Sequence, residues 1–220
     1  MVVINHLFYS IEGVFPILDI GISNSFEKSL SPIGKYKRTF IKIPRIALLR
    51  TMALDKNYID TTTFDILQPA IDYYIKNGTP DEKLKTYYYQ GRIYQNRQEN
   101  DSALQCYAYG KEYRNQISDS LTMANLLVAQ ASIFFTIYKI DDFIKNNLDA
   151  ARLFNKIGRF DSEVFCLTNV LDGSFIKEDR HLADSIFKIV KIRNQQYPGK
   201  TGADWDSAPE QTGTLLMLQS

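Results

Sequence analysis

The side chains best suited to chemistry are few, and none of them falls in a catalytic pattern. The two histidines, His6 and His181, lie far apart, and neither has a cysteine or another histidine at metal-ligand spacing. We interpret both as surface or helix-cap residues. Cys106 and Cys166 each lie beside apolar positions of helical spacing. They are interpreted as small buried hydrophobic residues, in preference to nucleophiles or metal ligands.

Acidic and hydroxyl side chains form two short clusters. Asp141 and Asp142 are adjacent, and Asp60 precedes the three threonines at 61–63. Paired carboxylates can act as general acid and base, but Asp, Ser and Thr are also the residues that cap helix N-termini. Capping explains both clusters, and the isolated glycines form no phosphate-binding loop. The sequence therefore predicts no enzyme activity, no cofactor and no metal site.

Composition and charge exclude further classes of function. The chain has 220 residues, of which 45% are hydrophobic and 23% charged, as is ordinary for a globular protein with a core. Its formal net charge of +1 gives no electrostatic case for nucleic acid. The basic run at 35–38 is interpreted as solvated charge, not as a phosphate site.

Residues 1–43 show no clear periodicity. The opening stretch is apolar in patches, but Asn5, Glu12 and Asp19 interrupt it before it reaches the ~20 apolar residues that span a bilayer. No Lys or Arg precedes the apolar run, as one would in a signal peptide. We expect this segment to be irregular or poorly ordered and the chain to have no membrane span. The compartment is left open, with the cytoplasm favoured.

Helical periodicity becomes clear at Pro44, which suits a first helical turn. The strongest helix start is Thr79-Pro80-Asp81-Glu82, where Thr79 and Glu82 have the spacing of a capping box. Pro69 predicts either the start of a helix or a kink, and Asp172-Gly173 predicts a turn. The predicted helices cover residues 44–57, 64–77, 80–97, 101–117, 120–138, 142–157 and 179–194.

The stretch from Tyr87 to Gly110 carries the most specific pattern. Large and small residues recur at helical spacing on one face of each of two helices, and the small ones let the backbones approach closely. Six positions define the pattern: Tyr87, Gly91, Tyr94, Ala103, Tyr107 and Gly110. This pattern resembles a tetratricopeptide repeat, a helix–turn–helix unit.

Two further units follow with decreasing similarity. Placing Ser132 at the position of Gly91 gives an offset of 41 residues, and Leu171 follows 39 residues later. Both offsets exceed the ~34 residues of the standard unit, so the chain resembles the bacterial subgroup with lengthened repeats. The resemblance implies an all-α fold, in which antiparallel helix pairs stack as a right-handed superhelix, or α-solenoid, over residues 44–198. A flexible tail, residues 199–220, follows.

The resemblance also implies where a partner would bind. In tetratricopeptide proteins the first helix of each unit lines the concave face, where ligands usually lie. Transferring those positions one by one gives seven residues: Lys85, Tyr88, Arg92, Gln95, Ile133, Thr136 and Phe165. The alternative is that some of these side chains pack against neighbouring helices. The carboxylate clamp of chaperone-tail-binding repeats is absent, because only Arg92 is cationic among the corresponding positions.

These expectations favour a non-enzymatic scaffold that binds a protein or peptide partner, and neither nucleic acid nor membrane. The alternative is the sensor or interaction part of a bacterial signalling or transcription-regulatory protein whose output module is absent from this chain. An enzyme built on a helical array is disfavoured, because no nucleophile or base can be named. The identity of the partner and the oligomeric state stay open.

Overall fold

The part of the chain that the structure describes is all-α, as predicted. The computed structural model describes residues 32–197, so the expected tail and the first 31 residues lie outside this range. Within it there are eight helices and no strand. The helices are α1 (Pro32–Lys56), α2 (Gln68–Asn77), α3 (Pro80–Asn96), α4 (Asn100–Lys111), α5 (Ser120–Thr136), α6 (Ile140–Lys156), α7 (Phe160–Ile176) and α8 (Arg180–Gln196).

The helices pack on one another in chain order. From α2 to α8 each helix contacts the next one, and α3 also contacts α5. Their buried aliphatic and aromatic side chains form one continuous core. These contacts all belong to the larger of the two compact units into which the chain divides, residues 39–220. Packing between sequence neighbours is what a helical solenoid requires.

From α3 onward the helices begin at intervals of 20 residues: Pro80, Asn100, Ser120, Ile140, Phe160 and Arg180. Four of the turns between them share one geometry, with a residue of positive φ at Gln98, Tyr138, Gly158 and Glu178. The next backbone N–H then bonds to the carbonyl five residues earlier, as from Glu99 to Tyr94 at 2.9 Å. This is the Schellman closure of a helix end. The α5–α6 and α6–α7 turns are therefore alike.

Several helix boundaries agree with the sequence prediction. Thr79 Oγ1 accepts a hydrogen bond from the Glu82 N–H at 3.3 Å, and the Glu82 carboxylate accepts one from the Thr79 N–H at 2.8 Å. This capping box places Pro80 in the first turn of α3. α2 begins beside Pro69, which was one of the two predicted outcomes.

The expected boundary at residues 43 and 44 is wrong, because it falls inside a helix. α1 begins at Pro32 and contains Pro44 in its interior. A proline inside a helix loses one hydrogen bond and strains the preceding turn. The helix nevertheless continues past Pro44, since Ala47, Leu48 and Thr51 of the next turns are buried.

The predicted turn at Asp172-Gly173 is also wrong. Gly173 lies inside α7, where a Cβ would come within 2.6 Å of Cγ1 of Ile144 on α6. The glycine thus permits close contact between two helices.

α4 ends at Lys111, earlier than predicted. The following segment is held elsewhere, since the N–H groups of Ser118 and Asp119 donate to the Asp81 carboxylate at 2.9 and 3.0 Å.

Candidate functional site

The turns between the helices give their register independently of the side chains on the helix faces. Gln98, Tyr138 and Glu178 occupy the same place in their turns and lie 40 residues apart. The residue equivalent to Gly91 in α5 is therefore Ala131, which is 1% exposed. Ser132, the residue expected there, is half-buried. The sequence prediction for the second unit is thus displaced by one residue.

This displacement changes which α5 residues correspond to the candidate site. Ile133 is 1% exposed and offers no surface to a partner. Thr136 is exposed, and its Oγ1 donates to the Ser132 carbonyl at 3.0 Å. The residues of α5 that are equivalent to Lys85, Tyr88, Arg92 and Gln95 are all half-buried: Asn125, Val128, Ser132 and Phe135.

On α7 the same offset gives a second partly accessible set. Phe165, which was predicted, is half-buried and packs against the core with one side. The equivalent residues of α7 are Phe165, Thr168, Asp172 and Phe175. Asp172 is exposed, although the surrounding protein desolvates its carboxyl and raises its pKa to about 6.

The candidate residues of α3 are held by neighbouring parts of the same chain. Arg92 Nε donates to Asp55 Oδ1 on α1 at 3.1 Å, and Nη1 donates to Gln95 Oε1 at 3.1 Å. The Tyr107 hydroxyl donates to the same Gln95 oxygen at 2.9 Å. Tyr88 is buried, with its ring 6.4 Å from that of Tyr107. Packing between neighbouring helices, the alternative left open by the sequence, accounts for these side chains.

Lys85 joins α3 to the start of α5. Its Nζ lies 2.8 Å from Asp119 Oδ2, and Asp119 also caps α5 by accepting a hydrogen bond from the Thr122 N–H at 2.9 Å. Burial alone would raise the pKa of Asp119, but the hydrogen bonds from Lys85 and Thr122 outweigh it and lower that pKa. Lys85 thus serves a structural ion pair.

The cysteines and the described histidine lie in different surroundings. Cys106 and Cys166 are buried, as predicted. Burial raises the pKa of Cys106 to about 11 and raises that of Cys166 further, so both thiols are protonated at neutral pH. His181 is exposed near the start of α8, and His6 lies outside the described residues.

The part of the chain that the structure describes contains no group of three His, Cys, Asp or Glu side chains placed to hold a metal. Within the same residues, every helix is too short or too polar to cross a bilayer. No family model, curated protein or solved structure matches the chain. Its class is therefore defined by fold alone, as an all-α array of helices that pack in chain order.

The residues that sequence reasoning missed are Asn125, Val128, Ser132 and Phe135 of α5, and Asp172 and Phe175 of α7. A uniform 40-residue offset from the α3 positions would have found all of them. That offset was not evident in the side-chain pattern, because Ala131 and Ser132 are adjacent small residues that fit the glycine position equally well.

Proposed function

We propose that this chain is a non-enzymatic scaffold that binds a protein or peptide partner through the first helices of its pairs. The observation that supports this most is that the equivalent positions of α5 and α7 remain partly accessible, whereas Lys85, Arg92 and Gln95 of α3 are held by other side chains of the chain. Specific interfaces combine apolar contact area with a few polar groups. The two helices supply both, in Val128, Thr168 and Asp172 among others.

We place the centre of this contact on α5 and α7, and not on α3. Arg92, Gln95 and Lys85 of α3 already bind other side chains of the chain, so a partner would have to displace those bonds. α5 and α7 present three partly exposed phenylalanines, Phe135, Phe165 and Phe175. Aromatic side chains often dominate binding energy, because they offer large contact area at low cost in side-chain entropy.

Selection of a random peptide library on the full chain tests the proposal. The two blocking variants are Ser132→Arg and Phe165→Lys, which introduce the residue types that Arg92 and Lys85 supply at the equivalent α3 positions. Each variant is expected to bind a selected peptide roughly tenfold more weakly than the parent, or weaker still. The matched control is Ser185→Arg, which makes the same substitution at an exposed serine of α8, outside α5 and α7.

Two results would overturn the proposal. The first is a library that yields no enriched peptide. The second is a selected peptide that binds both blocking variants as tightly as it binds the parent. Circular dichroism melts of the variants show whether each remains folded, so that lost binding is not confused with unfolding.

A further inference from the structure

Lys111, the last residue of α4, has a neutral hydrogen-bond partner. Its Nζ lies 3.1 Å from Oε1 of Gln130 on α5, which is a neutral amide. Among residues 42–197, no carboxylate lies within ion-pair distance of it. Lys111 is nevertheless half-buried. Desolvating an ammonium group costs free energy that a counter-charge normally offsets.

The charges around Lys111 add to this imbalance. Burial, together with the positive charges of Arg114 and Lys145, lowers the pKa of Lys111, while Asp149 and Asp142 act in the opposite direction. Asp149 is itself bound by Arg114 at 3.5 Å and by Arg152 at 2.7 Å. Among these named groups, four cations therefore stand against two carboxylates.

We propose that this cluster, defined as Lys111, Arg114, Gln130 and Lys145, binds an acidic side chain of a peptide or protein partner. Lys111 donates to the carboxylate, and Arg114 and Lys145 add positive charge. The inference rests on the proposed scaffold function and adds a second contact, of stated chemistry, outside the face of α5 and α7.

The test measures binding of fluorescein-labelled hexaglutamate to the full chain by fluorescence anisotropy at low salt. Hexaglutamine is the neutral probe, and inorganic phosphate is the competitor. Lys111→Gln is expected to weaken hexaglutamate binding roughly tenfold or more, the value of a charge-assisted hydrogen bond. Lys111→Arg should largely retain it. Lys188→Gln, at an exposed position of α8, is the matched control and should bind like the parent.

Several results would overturn the site. Hexaglutamate could fail to bind, or bind Lys111→Gln as tightly as it binds the parent. Hexaglutamine could bind as tightly as hexaglutamate, or phosphate could bind in its place. If library peptides bind through Phe165 and hexaglutamate does not bind through Lys111, the proposed function stands and this site falls. If hexaglutamate binds through Lys111 and no library peptide is enriched, the site stands and the proposed function falls.

Discussion

Gly91 of α3 lies directly against the ring of Tyr107 on α4. A Cβ added to Gly91 would lie 2.3 Å from Cε1 and 2.7 Å from Cδ1 of that ring. Tyr107 is completely buried, and its hydroxyl is bound to Gln95, so the ring is fixed along its length. The distance between the two helices therefore depends on the missing side chain at Gly91.

Gly91→Leu is expected to destabilise the fold by about 2–4 kcal/mol, because neither the fixed ring nor the backbone of α3 can move aside without loss of packing. Urea denaturation followed by circular dichroism measures the change. Ala108→Leu, at an exposed position of α4, is the control and should stay within about 0.5 kcal/mol of the parent. A melt of Gly91→Leu that matches the parent would contradict the contact.

The contact between Gly91 and Tyr107 could be predicted from the sequence because it joins adjacent helices at fixed spacing. The register of the second unit could not, since the choice between Ala131 and Ser132 depends on the hydrogen bonds of a turn. The start of α1 was missed for a related reason. Proline favours a first helical turn, and nothing local to Pro44 shows that a helix continues through it.

Two polar contacts between helices could not be predicted from the sequence either. Arg92 meets Asp55, 37 residues away, and Lys111 meets Gln130 across a helix boundary. Each pair forms only when the two helices that carry it have packed in the folded chain. Their members look like ordinary surface charges in the sequence, where each has charged or polar neighbours at many spacings.

Asn147 and Asn169 form a buried polar pair between α6 and α7. Asn169 Nδ2 donates to Asn147 Oδ1 at 3.0 Å, and Asn147 Nδ2 donates to the Phe143 carbonyl at 2.9 Å. Asn169→Leu leaves Oδ1 of the fully buried Asn147 unpaired, and we expect a cost of about 1–3 kcal/mol.

The double variant Asn147→Leu with Asn169→Leu should be less destabilised than Asn169→Leu alone. Replacing both partners leaves no buried polar side chain unpaired, so the desolvation penalty disappears. Urea denaturation of the parent, both single variants and the double variant gives the coupling energy. Additive single effects would show that the two amides do not depend on each other.

The raised pKa of the Asp172 carboxyl makes the stability of the fold depend on pH. Burial raises its pKa to about 6 in the folded state, against ~3.9 in an unfolded chain. Between these values the folded state holds a proton that the unfolded state has lost, so this group makes the protein less stable as pH rises from about 4 to about 6. Asp172→Asn should therefore raise Tm at pH 7 and have no effect below about pH 4.

The Tm difference for Asp172→Asn should be small, because the side chain is exposed and solvent screens its charge. Thermal melts of the parent and the variant from pH 4 to pH 8 measure it. Asp184→Asn, an exposed position of α8, serves as the control. A Tm difference that does not change across this pH range would show that the Asp172 carboxyl is not desolvated.

Lys111 allows a prediction about stability that is independent of any ligand. Its ammonium is half-buried beside a neutral amide, with Arg114 and Lys145 nearby, so the charge is a cost to the folded state. Lys111→Met keeps the length of the side chain and removes the charge. We expect a gain of about 0.5 kcal/mol, as for other substitutions that optimise surface charge, or roughly 1–2 °C in Tm. Lys188→Met on α8 should leave Tm unchanged.

The same Lys111→Met variant should lose hexaglutamate binding, so stability and binding change in opposite directions. A lower Tm for Lys111→Met would mean that the bond to Gln130 stabilises the fold by more than desolvation costs, and Lys111 would then be a structural residue.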